Sequence, residues 1–407
     1  MKTADHVSGR RYGLDWLRIG AFGFLILYHI GMFFVTWDWH VQTLTPVEWL
    51  ELPMLALNPW RLALLFLISG IASRALLARL AGSGRFARER SLRLLLPLAA
   101  GMALFVAPQP WVELRVQHGY AGGFAHFWTS DYFRFGELDG IVLPTWNHLW
   151  FVAYLWAYTM ILALLALAPA GARAAAQRLF ERGFAGTRLF LLPLLWLFLA
   201  RILLYPYFEE THALVDDPYG HSVYGFAFFF GVGLAGSQRL WDHIVGSWRP
   251  MAAAALAAYL VYAAIYAAYP GDADPSGLAV WAARLARSVQ AWAAILALLG
   301  AAQLFLHRDG RARRYLTEAV FPYYIAHQTI IVLAGYWLRP LGLGAAAEFA
   351  ILLAATVAGC ALAFEIARRT SWLRPLFGLK PPPSRRRPEP ASGACPAAVE
   401  APVGTGQ

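Results

Sequence analysis

Charged residues are scarce in this chain of 407 residues. Asp, Glu, Lys and Arg make up 14% of the sequence, whereas hydrophobic residues make up 59% and the mean hydropathy is +0.48. An ordinary soluble domain has about 25% charged residues, so the composition excludes one. Apolar runs of about 18 or more residues are long enough to cross a lipid bilayer. The chain is therefore predicted to be an integral membrane protein with the lipid bilayer around it.

Cysteine is also scarce, with two in the chain. Cys360 lies inside an apolar run and Cys395 in a Pro-rich tail, so we expect no disulfide framework. The sequence also lacks G-x-S-x-G, the phosphate-binding loop of NTPases, H-E-x-x-H and C-x-x-C. We therefore expect no metal and no permanently bound cofactor.

The net charge of +10 does not indicate a nucleic-acid partner. The basic residues lie in short gaps between apolar runs, where they orient helices relative to the membrane. These runs predict an all-α fold, a polytopic transmembrane bundle of about ten helices. They lie near residues 14–36, 60–80, 92–108, 148–169, 189–205, 222–237, 251–269, 280–306, 318–338 and 345–367.

The loop charges predict the orientation of the bundle, because Lys and Arg concentrate in cytoplasmic loops. Arginines cluster near residues 10–11, 79–90, 173–188, 239–249, 308–314 and 368–387. Acidic segments without a basic residue alternate with these clusters, at residues 37–58, 206–220 and 270–278. We therefore predict that both termini are cytoplasmic and that the first apolar run is a retained helix, not a cleaved signal peptide.

Two segments differ from the helical pattern. Residues 110–146 form a long outer connection that is rich in Gly and aromatic residues, which argues against disorder and predicts a small cap that contributes to the site. Residues 381–407 are a Pro- and Arg-rich segment of low complexity, which predicts a disordered cytoplasmic tail. Residues 1–380 are then one transmembrane domain.

The first apolar run contains Asp15, Arg18 and His29. Arg18 and His29 are eleven residues apart, about three helical turns, so they lie on one stripe about 16 Å apart along the axis. Arg18 could be an interfacial residue that only orients the helix, and His29 could bond a neighbouring helix. A histidine at membrane depth nevertheless indicates function, and an arginine at the cytoplasmic end suits a phosphate. Together they indicate an anionic donor that enters from the cytoplasm and reaches a base near mid-membrane.

Several short stretches resemble the membrane-bound acyltransferase 3 family, including its periplasmic glucan succinyltransferase branch. The stretches are LDWLRIGAFGFLILYH (residues 14–29), LFLISG (65–70), RERSLRLLLP (88–97), NHLWFVAYLWAY (147–158) and FPYYIAHQTII (321–331). They are spread over most of the chain, and their order agrees with about ten helices.

The resemblance implies transfer of an acyl group, acetyl or succinyl, from cytoplasmic acyl-CoA to a hydroxyl of an extracytoplasmic carbohydrate at the bacterial inner (plasma) membrane. It implies that His29 is the catalytic residue and that Arg18, Arg90 and Arg93 lie near acyl-CoA, the co-substrate. The arginines at the start of the third run could also be ordinary cytoplasmic charge.

Three more residues could line the site. Asp15 could pair with Arg18 three residues along the helix. His327 lies at about the depth of His29 and could assist it or bond another helix. His148 could contact the acceptor or lie in water at the interface.

Two other classes of function remain possible from the residues alone. Polar residues in a helical bundle also serve a proton-coupled transporter of a small polar solute or saccharide, although the arginine cluster and the few mid-membrane carboxylates fit this function less well. A non-catalytic membrane scaffold would leave the stripe of Arg18 and His29 unexplained.

Overall fold

The computed structural model describes residues 11–80, 82–270 and 277–380. The predicted tail, residues 381–407, lies outside these ranges, as do Arg10 and Cys395. About 76% of the residues in these ranges are helical and strands are almost absent among them, which confirms the all-α prediction. In chain order the α-helices are α1 (Tyr12–Met32), α2 (Glu51–Leu57), α3 (Arg61–Leu80), α4 (Ser83–Gly101), α5 (Pro108–Gln117), α6 (Phe124–His126), α7 (Trp150–Leu165), α8 (Ala170–Gly183), α9 (Arg188–Leu203), α10 (Pro218–Gly220), α11 (Phe226–Leu234), α12 (Gln238–Ala268), α13 (Leu278–Phe305), α14 (Arg311–Leu338) and α15 (Ala345–Arg369).

Shorter elements extend or connect these helices. Strands β1 (Gly136–Leu138) and β2 (Ile141–Leu143) form one antiparallel hairpin, in which Glu137 pairs with Val142. Turns of π-helix lie at Met102–Val106, Phe127–Asp131 and His221–Gly225, and turns of 3₁₀-helix lie at Glu48–Leu50, Asn147–Leu149, Arg339–Leu341 and Pro375–Phe377.

Each of the ten apolar runs overlaps an α-helix, although the run at residues 222–237 contains only the nine-residue α11 and the π-turn before it. By length and composition, six helical segments of the described chain can cross a membrane, or seven if α8 and α9 form one span broken by a bend of 94°. Helices α1 and α14 are not among them, although they are 21 and 28 residues long. Polar residues such as Asp15, Arg18 and His327 lower their hydropathy.

The connection at residues 110–146 is folded. Helix α5, the hairpin and the turns between them enclose a small apolar core of Ala107, Leu114, Phe127, Tyr132 and Leu143. The Tyr132 hydroxyl donates to the carbonyl oxygens of Met102 and Thr145, at 2.8 and 3.1 Å. This core and these bonds attach the segment to the bundle beside the end of α4.

Helices α3 and α11 pack with their backbones in close approach. A Cβ atom added to Gly70 would lie 2.0 Å from the carbonyl oxygen of Phe228, and one added to Gly231 would lie 2.0 Å from that of Leu67. Any side chain at either position would therefore collide with backbone. The glycine of the LFLISG stretch serves close helix packing, as expected for small residues in membrane bundles.

Helices α1 and α14 pack against each other and are tied together at both ends. At the N-terminal end of α1, Asp15 forms an ion pair with the buried Arg313 of α14 and lies 3.8 Å from Arg18. Asp309 also contacts Arg313, at 2.8 Å. At the other end, His29 of α1 meets His327 of α14.

Candidate active site

A cavity of about 330 Å³ lies at the His29 end of α1. Its wall comes from the ends of several helices and from the segments that join them, so residues distant in sequence meet there. The lining residues are Leu25, His29, Trp39, His40, Arg61, Leu62, Thr145, Trp146, Asn147, His148, Trp150, Phe151, Thr211, His212, Tyr324 and Gln328.

The ring of His29 is held by a chain of hydrogen bonds that fixes its tautomer. His327 Nδ1 lies 2.8 Å from the carbonyl oxygen of Tyr324, which can only accept, so this nitrogen carries a proton. His327 Nε2 is then an acceptor in a neutral ring, and it lies 2.8 Å from His29 Nδ1. His29 Nδ1–H therefore donates to His327, and the network assigns the lone pair of His29 to Nε2. Stacking of the His29 ring against Trp39, with centroids 5.4 Å apart, supports the same orientation.

A second set of bonds occupies the neighbouring imidazole of His148. Its Nε2–H donates to the carbonyl oxygens of Tyr324 and Ile325, at 3.1 and 3.3 Å. Its Nδ1 lies 3.4 Å from the amide nitrogen of Gln109, which also donates to Thr329 at 2.7 Å. His148 is thus a buried acceptor whose two ring nitrogens already have partners.

The amide oxygen of Gln109 joins this network to the cavity wall. It accepts from Asn147 Nδ2 at 2.9 Å and from Gln328 Nε2 at 3.0 Å. Gln328 Nε2 also lies 3.1 Å from His40 Nε2. His40 Nδ1 in turn lies 2.5 Å from Glu113 Oε2. A glutamate therefore orients His40, while the amide of Gln328 occupies its second nitrogen.

These contacts distinguish His29 from the other imidazoles of the cluster formed by His29, His40, His148 and His327. In each of the other three, both ring nitrogens have a partner. His29 Nε2 has no hydrogen-bond partner among the described residues, and the side chain is partly exposed in the cavity that it lines. Its lone pair is the one available for a proton or an acyl group.

Another residue of the cavity wall, His212, contacts a carboxylate. His212 Nε2 lies 3.1 Å from Glu210 Oε1, and the His212 ring stacks on Trp150 with centroids 4.2 Å apart. Burial alone would raise the pKa of Glu210, but hydrogen bonds from His212 and Tyr224 lower it below its ordinary value. This carboxylate is therefore charged near neutral pH and fixes His212 over the tryptophan.

The predicted site residues lie in two places, at the cavity and near the opposite end of α1. Among the candidates His29 and His148 line the cavity, and the fully buried His327 lies behind His29. Asp15 lies at the far end of α1, bound to Arg313. Asn147, the first residue of the NHLWFVAYLWAY stretch, donates its Nδ2 to Gln109 Oε1 at 2.9 Å.

The three predicted donor arginines lie outside this cavity. Arg18 is on the same helix as His29, as expected, near its N-terminal end. Arg90 is partly buried on α4, and its Nε has no hydrogen-bond partner among the described residues. Arg93 lies one turn further along α4 and is exposed.

Sequence reasoning missed several residues of the cavity. Arg61, His40 and Gln328 line the cavity, and Glu113 and Gln109 bond to lining residues from behind. These five follow no periodic pattern, and three of them lie at helix ends or in connections. One feature of the sequence could have identified Arg61. It lies at the predicted extracytoplasmic end of an apolar run, where basic residues are not expected. In the described part of the chain, no three His, Cys, Asp or Glu side chains are grouped as metal ligands.

Comparison with known proteins identifies the family of the chain. Residues 11–365 match the family described as an acyltransferase domain, the acyltransferase 3 family. No curated protein and no solved structure gave a match to the chain. The matched segment covers nearly the whole chain and includes both helices that carry the paired histidines. The chain therefore belongs to the acyltransferase 3 family and is a multi-pass membrane acyltransferase.

Proposed function

We propose that this enzyme moves an acetyl or succinyl group from cytoplasmic acyl-CoA to a hydroxyl of an extracytoplasmic glycan. The observation that carries the proposal is the free lone pair of His29 Nε2 in a cavity lined by amides, imidazoles and aromatic rings. An O-acyltransferase needs such a base next to a space for a hydroxyl-bearing acceptor. The amides of Asn147 and Gln328 suit the hydroxyl groups of a sugar.

The same lone pair supports two routes. As a general base, His29 removes the proton of the acceptor hydroxyl while the oxygen attacks the thioester carbonyl. The carbon–sulfur bond then breaks, and His29 returns the proton to the CoA sulfur. As a nucleophile, His29 Nε2 attacks the thioester carbonyl, the carbon–sulfur bond breaks and CoA leaves as a thiolate. The acceptor hydroxyl then attacks the acyl group, the bond from Nε2 to the acyl carbon breaks, and the hydroxyl proton neutralises the thiolate. In both routes His327 Nε2 accepts the hydrogen bond from His29 Nδ1–H and so orients the His29 ring.

The donor enters from the opposite end of the bundle in this proposal. Arg18, Arg90 and Arg93 bind the CoA phosphates through charge-assisted hydrogen bonds, for which the buried Nε of Arg90 has an unused donor. Arg18 and His29 are about 16 Å apart on one helix, a distance that the extended pantetheine arm can bridge. The topology that we propose has about ten transmembrane helices with both termini in the cytoplasm of a bacterium.

The test is transfer by the purified protein in detergent or proteoliposomes. Labelled acetyl-CoA and succinyl-CoA are supplied with glycans extracted from the periplasm, and labelled glycan is measured. Wild type should form product, and His29→Ala should lower the rate at least about 10²-fold, as for loss of a general base. The matched control is His243→Ala, an exposed histidine of α12, which should keep full activity. No labelled glycan with either donor, or full activity of His29→Ala, would refute the proposal.

A further inference from the structure

Arg61 is a buried arginine on the wall of the reaction cavity. Its exposed fraction is 6%, and its Nε and Nη1 are buried without a hydrogen-bond partner among the described residues. The guanidinium carbon lies 3.5 Å from the centre of the Tyr28 ring, so one face of the group is covered. No described carboxylate forms an ion pair with it.

A buried guanidinium without an anion is costly for a folded protein. Removing one partner from a buried ion pair destabilises strongly, because an uncompensated charge remains. Contact with an aromatic face compensates only part of that cost, and it leaves the N–H donors in the plane of the group unused. These N–H donors remain unpaired beside the cavity. They are therefore available to bind an anion that the substrate brings.

The position of Arg61 indicates which group of the substrates supplies this anion. Arg61 begins α3 and His29 lies in the last turn of α1, and both line the same cavity. The phosphate-binding arginines of the proposed function lie at the other end, with Arg18 about 16 Å from His29. The CoA phosphates are therefore too distant, and the reacting acyl group is the nearest source of negative charge.

We propose that Arg61 binds an anionic oxygen of the acyl group during transfer, an inference that depends on the proposed function. The oxygen has two possible sources. When the hydroxyl or His29 attacks the thioester carbonyl, an electron pair moves onto the carbonyl oxygen, and this oxyanion accepts from the Arg61 N–H groups until the carbon–sulfur bond breaks. In a dicarboxylic acyl group such as succinyl, the distal carboxylate accepts from the same donors.

The experiment compares wild type with Arg61→Gln and Arg61→Lys, using acetyl-CoA and succinyl-CoA separately. If the oxygen is the carbonyl oxyanion, Arg61→Gln should lower kcat about 10²-fold for both donors with little change in KM for acyl-CoA. If it is the distal carboxylate, succinyl transfer should be lost and acetyl transfer kept. Arg61→Lys should restore part of the activity. Arg178→Gln, an exposed arginine of α8, is the matched control.

A binding measurement separates this inference from the proposed function. Free succinate should raise the Tm of wild type in detergent and should not raise that of Arg61→Gln. Without succinate, the Tm of Arg61→Gln should equal or exceed that of wild type, because an unpaired buried charge is removed. If wild type transfers no acyl group, the proposed function fails, while the succinate-dependent Tm still tests Arg61. Unchanged kcat with both donors, or a change confined to KM for the glycan, would overturn the assignment of Arg61.

Discussion

In the proposed mechanism one of the two paired histidines, His29, reacts and the other, His327, orients it. In hydrolases a buried carboxylate often holds the catalytic imidazole, whereas here a neutral imidazole does so through a 2.8 Å bond. The carbonyl oxygen of Tyr324 fixes the tautomer of His327, and His327 fixes that of His29. This arrangement orients the base without placing a second charge between the helices, where charge is expensive.

His327 is therefore predicted to be a positioning residue. His327→Ala removes the acceptor for His29 Nδ1–H and should lower kcat about 10- to 100-fold, because the ring can then adopt the wrong tautomer or rotate. KM for acyl-CoA should change little, since the donor arginines are distant. His327→Asn offers an amide oxygen as acceptor and should recover part of kcat at the same Tm as the alanine variant. Equal kcat values for the alanine and asparagine variants would assign His327 a purely structural role.

At the scale of the helix, the contact between α3 and α11 depends on two glycines. Gly70→Ala would place a methyl group 2.0 Å from the carbonyl oxygen of Phe228, and backbone cannot rotate away as a side chain can. Overpacking of this kind costs about 1–3 kcal/mol, so the variant should have a lower Tm and a lower yield in detergent. Gly20→Ala is the control, because a Cβ there has no atom within 4 Å and alanine favours helix by about 1 kcal/mol. A Gly70→Ala variant as stable as Gly20→Ala would contradict the packing described for this pair.

The helices show how much of the fold the sequence could predict. Every apolar run overlaps an α-helix, because a helix satisfies the backbone hydrogen bonds of an apolar segment in lipid. Six or seven helical segments of the described residues qualify as membrane spans, and the count of about ten stays a prediction. Not all of these helices qualify as spans by length and composition: α1 and α14 carry polar residues of the candidate site, and α11 has only nine residues. Two of the polar residues that lower the hydropathy of these helices, His29 and His327, meet in the structure.

The rest of the cavity could not be predicted from the sequence. His29 could be identified as a candidate because a histidine inside an apolar run has few explanations other than a functional one. Arg61 and His40 lie beside segment ends, where a polar residue is ordinary, and their function depends on which segment faces them. Glu113 binds His40 across 73 positions of the sequence, a distance over which no local pattern operates.

At the scale of the molecule, the proposed reaction requires that the two ends of α1 face opposite sides of the membrane. Trp16 Nε1 donates to the carbonyl oxygen of Arg308 at 2.9 Å, so the loop that follows α13 lies beside the N-terminal end of α1. Gln117 Nε2 donates to the carbonyl oxygen of Trp39 at 2.8 Å, so the end of α5 lies beside the segment that follows α1. Labelling of exposed residues next to these two contacts therefore shows on which side of the membrane each end of α1 lies.

His307 and His118 are exposed and adjacent to those contacts, which makes them suitable positions for single cysteines. In a Cys395→Ser background, where Cys360 is buried, a membrane-impermeant maleimide should label His118→Cys in intact bacterial spheroplasts. It should label His307→Cys only after the membrane is permeabilised, and the background protein should stay unlabelled in both conditions. If His307→Cys were labelled first, the acyl donor could not enter from the cytoplasm at the Arg18 end. Labelling of both positions from one side would place the two ends of α1 in the same compartment, and transfer across the membrane along that helix would then be impossible.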